Sequence, residues 1–111
     1  MVVVPFPARD DVDRLIRMAI HSRRLLSFDL NDHPRRAEPH DYAIVDGIPR
    51  LFFYQVGGRS SSGHPLGWRW AIVAQMRDVR ILDERFDGPR EAGRGGHLKW
   101  DRLLASVSRA V

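Results

Sequence analysis

The chain has 111 residues, 43% of them hydrophobic and 29% charged, with 18 basic and 14 acidic side chains and no cysteine. That length supports one domain with one core, the composition excludes a wholly disordered chain, and the lack of thiols excludes disulfides and cysteine-ligated metal. No apolar run approaches a membrane span and MVVVPFPARDD lacks the basic flank of a signal peptide, so a cytoplasmic location is expected.

Residues 1–9 read as an irregular lead, because Pro5 and Pro7 oppose regular structure. Asp10 and Asp11 then supply capping and first-turn negative charge. Val12, Leu15, Ile16, Ala19 and Ile20 recur at helical spacing, which predicts an amphipathic helix over about 11–24, closed by Arg23 and Arg24. In LLSFDL, Leu26, Phe28 and Leu30 point to one side of a half-buried strand. NDHP turns the chain into a second strand over 35–45, interrupted or edged at Pro39 because proline cannot donate to a ladder. Extended backbone there places Arg36, Glu38, His40 and Tyr42 on one face.

Asp46-Gly47 is a hairpin signal. The run LFFYQV at 51–56 suits a strand covered on both faces. Trp68, Trp70, Ile72 and Ala74 alternate with Arg69, Ala71, Val73 and Gln75, giving a fourth strand with Arg69 opposite the two tryptophans. The tryptophans are expected in the core. A short fifth strand covers 79–82, DGPREAGRGG at 87–96 reads as a linker, and Trp100, Leu103, Leu104 and Val107 predict a terminal amphipathic helix over 97–109. The expected fold is mainly β (α+β): a small, partly open five-stranded barrel with an N-terminal and a C-terminal helix, in a single domain with its core at about 12–86.

Charge position says more than charge count. From Gly47 to Arg77 there is no acidic residue, while Arg50, Arg59, Arg69 and Arg77 all fall there. Such a segment steers anions. Gly58 and Gly63 have the glycine spacing of a phosphate-binding loop, but His64-Pro65 and a strand follow where that motif needs Lys-Ser/Thr and a helix, so nucleotide hydrolysis is excluded. Ser60, Ser61, Ser62 and His64 lack a nucleophile elbow. The five histidines show no pair at metal-binding spacing, leaving His40 with Glu38 as the only acid–base foothold. No catalytic, metal or cofactor set is expected.

The order and spacing of EPH, YQVGG-x-S-x-SG, GWR and ERFDGPR, together with IRMAIHSRRLLSFDL and RRAEPHDYAIVDG, resemble a WYL domain, and in particular the short stand-alone WYL-like proteins, over about residues 12–92. The resemblance implies an SH3-like or Sm-like barrel and a regulatory ligand-binding role, with nucleic acids or nucleotide-like molecules as favoured ligands. On that resemblance Arg36, Pro39-His40, Tyr54-Gln55 and Arg69 occupy ligand-facing positions. The Trp-Tyr-Leu triplet itself is absent, with Arg50, Leu51 and Phe52 near its place, and Ala71 stands where an aromatic is usual.

The expected function is a non-catalytic module whose basic groove takes an anionic ligand, a single-stranded nucleic acid or nucleotide among them, through Arg36, His40, Tyr54, Gln55, Arg59, Ser60, Ser62 and Arg69, with backbone donors at Gly57 and Gly58. The alternative is a self-association or partner-binding module that uses the tryptophans and the terminal helix.

Overall fold

The computed structural model describes residues 7–58, 66–90 and 100–107. Helix α1 (Pro7–Ser22) starts earlier than its apolar pattern, since proline is tolerated in a first turn whose N–H groups have no helical partner. Arg23 ends it in the left-handed region, φ 57°, and its N–H donates to Ile20 O at 3.3 Å.

Strands β1 (Arg24–Leu30) and β2 (His33–Val45) are joined by Asn31 and Asp32, with φ of 53° and 62°. β2 and β3 (Ile48–Gly58) are joined by Asp46 and Gly47, with φ of 52° and 77°. Two positive-φ residues in a two-residue loop match the twist of the flanking strands, and Asn, Asp and Gly enter that region most readily. β4 (Gly67–Ile72) ends in a 3-10 turn over Val73–Gln75, shorter than the alternation suggested. β5 (Arg77–Arg85) is longer than expected, and β6 (Arg102–Ser106) follows.

All pairings are antiparallel, in the order β4-β3-β2-β1-β5, with β6 added to β2. Two expectations are corrected here. Among the described residues no ladder joins β4 to β5, so the sheet is open and not a closed barrel. The expected terminal helix is instead strand β6, at least over 102–106; residues 97–99 and 108–109 of that expectation lie outside the described residues. The reason lies in strand length. β2 has 13 residues and β1 only 7, so β1 covers 33–37 and the far half of that edge needs another partner. Backbone donors and acceptors left unpaired there would be costly, and β6 takes 41–44. Pro39 falls in the gap between the two partners, where its missing N–H interrupts neither ladder.

One sheet face carries the core: Ile16, Ala19 and Ile20 of α1 meet Leu26, Phe28, Leu30, Ala37, Tyr42, Leu51, Phe53 and Ala71, all buried. Phe28 and Phe53 pack edge to face at 5.3 Å. α1 packs against β1, β2, β5 and β6. It is pinned by the Tyr42 hydroxyl, which donates to Asp13 Oδ1 at 2.7 Å, and by Arg17, which donates to Leu104 O at 3.2 Å. Burial, then the bond to Asp13, pushes the Tyr42 hydroxyl far up from its ordinary pKa. Val107 is buried with this core, so the domain runs past residue 86. No described helix is long and apolar enough to cross a membrane.

Candidate ligand-binding surface

The register decides which residues share the face away from α1. Pro39 pairs with Phe53 and Asp41 with Phe52, so β2 carries one extra residue, His40, in a β-bulge. Before the bulge, Arg36 and Glu38 point outward. After it the parity is reset, and Tyr42 turns into the core instead of sharing their face. On β3 and β4 the pairs Phe52↔Trp70 and Tyr54↔Trp68 point outward, whereas Phe53↔Arg69 and Leu51↔Ala71 point inward.

Arg69 is opposite the tryptophans, as the alternation requires. It is Arg69 that turns to the core side, however, and Trp68 and Trp70 form a second, half-buried aromatic layer outside. Phe52 is clamped between them, its centroid 4.7 Å from each ring, nearly parallel to Trp68 at 11°. Tyr54 and His40 meet Trp68 edge-on at 5.4 and 4.7 Å. This explains the continuous apolar run of β3: it is covered by the core on one side and by indoles on the other.

The polar part of this surface is held by Phe86 and by residues 87–90, the start of the expected linker, which fold back over β2. Arg90 donates to both Glu38 carboxylate oxygens, Nε to Oε1 at 2.6 Å and Nη2 to Oε2 at 3.1 Å, and lies 4.0 Å above the Tyr54 ring. The bond to Glu38 is the main cause raising the Arg90 pKa. The Arg90 backbone N–H donates to His40 Nε2 at 3.0 Å, and His40 Nδ1–H donates to Glu38 O at 2.9 Å. Both ring nitrogens are therefore committed in a neutral tautomer, and Phe86 stacks on the ring at 5.6 Å. Burial is the largest cause lowering the His40 pKa. Beside this clasp, Glu38, Phe86, Gly88, Pro89 and Arg90 line a cleft of about 420 Å³. Arg36 pairs with Glu84 of β5, not with Glu38, and covers Gly57.

The expected site residues thus divide. Arg36, His40, Tyr54 and Gly57 belong to the outer surface. Gln55 and Arg69 turn inward, and Gly58, opposite Arg35, takes φ +91° at the end of β3. Gln55 is fully buried, accepting from Arg35 Nη1 at 3.2 Å and donating to Gly57 O at 3.1 Å. Arg59, Ser60 and Ser62 lie outside the described residues. Sequence reasoning missed Glu38 and Arg90 as a pair. Its one available signal was Pro39 inside a central strand, which marks a bulge. Among the described residues no three His, Cys, Asp or Glu side chains gather as metal ligands. Compared with known proteins, the chain matches no family model, no curated protein and no solved structure.

Proposed function

We propose that the protein is a non-catalytic binding module whose outer sheet face takes a single-stranded nucleic acid or a nucleotide, in the manner of a WYL-like domain. The observation that carries this reading is the half-exposed aromatic layer of Tyr54, Trp68 and Trp70 with the Arg90 guanidinium over the Tyr54 ring and Arg36 on the same sheet face. Aromatic faces next to cations suit unpaired bases, since every base has a face to stack. The strand order β4-β3-β2-β1-β5 behind an N-terminal helix supports the SH3-like reading as an open arrangement.

Charge sets the balance between stacking and phosphate contact. Arg36 and Arg90 are each matched by a carboxylate, Glu84 and Glu38. Arg50, on the same face two residues before Phe52, makes no ion pair among the described residues. Stacking therefore carries most of the affinity, and one phosphate contact gives a log–log salt slope of about −0.7.

Anisotropy titrations of labelled single-stranded DNA and RNA at low salt test this reading. Trp68→Leu, with its fold checked by urea unfolding, is expected to weaken binding by roughly 5- to 100-fold, the worth of one stacked base. Absence of binding by any oligonucleotide or nucleotide overturns the proposal. The terminal segment that suggested self-association is built into its own sheet as β6, which removes the main support for that alternative.

A further inference from the structure

The last turn of α1, the start of β1 and the end of β5 meet at a corner that the outer-face reading does not use. Arg23 closes the helix, and its carbonyl accepts from the Phe86 N–H at 2.9 Å. There His21, Ser22, Arg23, Arg85 and Phe86 line a cleft of about 260 Å³, with no acidic residue among them. Arg85 and Phe86 also line the larger cleft beside the Glu38–Arg90 clasp, so the two clefts adjoin.

The carboxylates around this corner are committed elsewhere. Asp83 takes Arg24, Glu84 takes Arg36 and Glu38 takes Arg90. Asp87 lines the larger cleft and not this one. Two arginines are left over, Arg23 and Arg85, and both line the smaller cleft. Neither makes an ion pair among the described residues. Arg85 is steadied by one bond, from Nη1 to Ser22 O at 3.2 Å, a neutral acceptor that leaves its charge unmatched. The Ser22 hydroxyl is spent on Met18 O at 2.6 Å.

Basic residues at a helix C-terminus ordinarily answer the negative end of its dipole, which amounts to roughly half a unit of charge. Two guanidinium groups exceed that. The carbonyls of the last turn are also engaged, Ile20 O by the Arg23 N–H and Ser22 O by Arg85. The dipole therefore leaves most of the positive charge unanswered, and that surplus lines an open cleft.

We infer that Arg23, Arg85 and His21 form a binding site for a phosphate dianion, either inorganic phosphate or a terminal phosphate monoester. The forked donors of two guanidinium groups match phosphate oxygens, and the His21 ring adds a donor from the helix. Charge selects the ligand. A phosphate monoester has its second pKa near about 6 and so carries close to two charges at neutral pH, one for each arginine. A carboxylate or a backbone phosphodiester carries one and leaves an arginine unmatched. This site does not rest on the outer-face reading, because it uses none of that surface's aromatic residues or arginines.

The test is thermal unfolding of the full chain in sodium phosphate against sodium chloride of matched ionic strength at neutral pH. Phosphate is expected to raise the midpoint and to saturate, whereas exclusion of phosphate from the general surface gives a rise without saturation. Arg23→Gln, which breaks no described side-chain bond, is expected to weaken phosphate binding about ten-fold. Arg14→Gln, the same charge change elsewhere on α1, keeps the full response. Equal midpoints in the two salts, a rise that does not saturate, an undiminished response in Arg23→Gln or an equal loss in Arg14→Gln each overturn the inference. Comparing 5′-phosphorylated with unphosphorylated oligonucleotides separates the two sources. A preference lost in Arg23→Gln but kept in Trp68→Leu assigns the terminal phosphate, and no preference assigns the free anion. Loss of the phosphate response with oligonucleotide binding intact overturns this inference alone, and the reverse overturns only the outer-face proposal.

Discussion

The Glu38–Arg90 clasp is the contact on which the outer surface most depends, and a double-mutant cycle measures it. The Glu38 side chain is 9% exposed and receives two hydrogen bonds, whereas Arg90 is 45% exposed. The two single changes should therefore differ. Arg90→Gln leaves a nearly buried carboxylate without its cation and should cost about 2–3 kcal/mol, the range for a charged group losing its hydrogen-bond partner. Glu38→Gln leaves an arginine that water can still reach, so the loss should be about 1 kcal/mol, close to that of an exposed pair.

The double variant removes the pair together, and its loss should fall short of the sum of the singles by about 1–2 kcal/mol. Urea unfolding reads these values directly, and each kcal/mol should appear as roughly 4–8 °C in the thermal midpoint of a domain near this size. Single losses that add to within about 0.5 kcal/mol would mean the two groups are not coupled and would refute the clasp.

Acid should weaken the fold through His40. Its pKa is lowered in the folded chain, so below about 6.5 the unfolded chain binds the proton and the folded chain does not; stability is complete above that pH and declines below it, at up to about 1.4 kcal/mol per pH unit, until the folded value is reached. Unfolding curves of His40→Gln between neutral and mildly acidic pH should lack this decline, and an unchanged slope would show that another group causes it. Gly58→Ala should be far more damaging than Gly47→Ala although both glycines have positive φ: a Cβ at Gly58 would lie 2.2 Å from Pro34 O, while one at Gly47 meets nothing within 4 Å. About 1 kcal/mol is expected at Gly47 and more than about 2 kcal/mol at Gly58, measured by chemical denaturation, and equal losses would contradict the close approach of β2 and β3 there.

Much of the fold was legible before any coordinates. The helix, the first five strands and the Asp46-Gly47 turn follow from side-chain period and from Asp and Gly at the corner, since these depend on near neighbours in the chain, while the turn read over NDHP closes to Asn31 and Asp32 with β2 starting at His33. Less of the candidate site was legible. Arg36, His40 and Tyr54 do come together, but Gln55 and Arg69 go to the opposite face, and Arg90 arrives from 52 residues beyond Glu38 to hold the group in place. A single inserted residue at His40 redirects Tyr42 from the outer face to the core. Bulges act at one position in a ladder, and the spacing of polar residues does not record them.

By itself the sequence determined that Arg69 must oppose Trp68 and Trp70, because alternation in a strand is a property of the backbone. Only the tertiary structure decided which of the two faces is inside. That choice belongs to α1, whose apolar residues Ile16, Ala19 and Ile20 cover the side carrying Leu51, Phe53 and Ala71 and leave the indoles outside. The same holds for the chain's end: Leu103, Leu104 and Val107 at helical spacing would suit a helix, yet the unpaired half of β2 claims 102–106 as a strand. A pattern of burial can be read locally, whereas the partner that satisfies a strand edge is set by the lengths of strands far away in the chain.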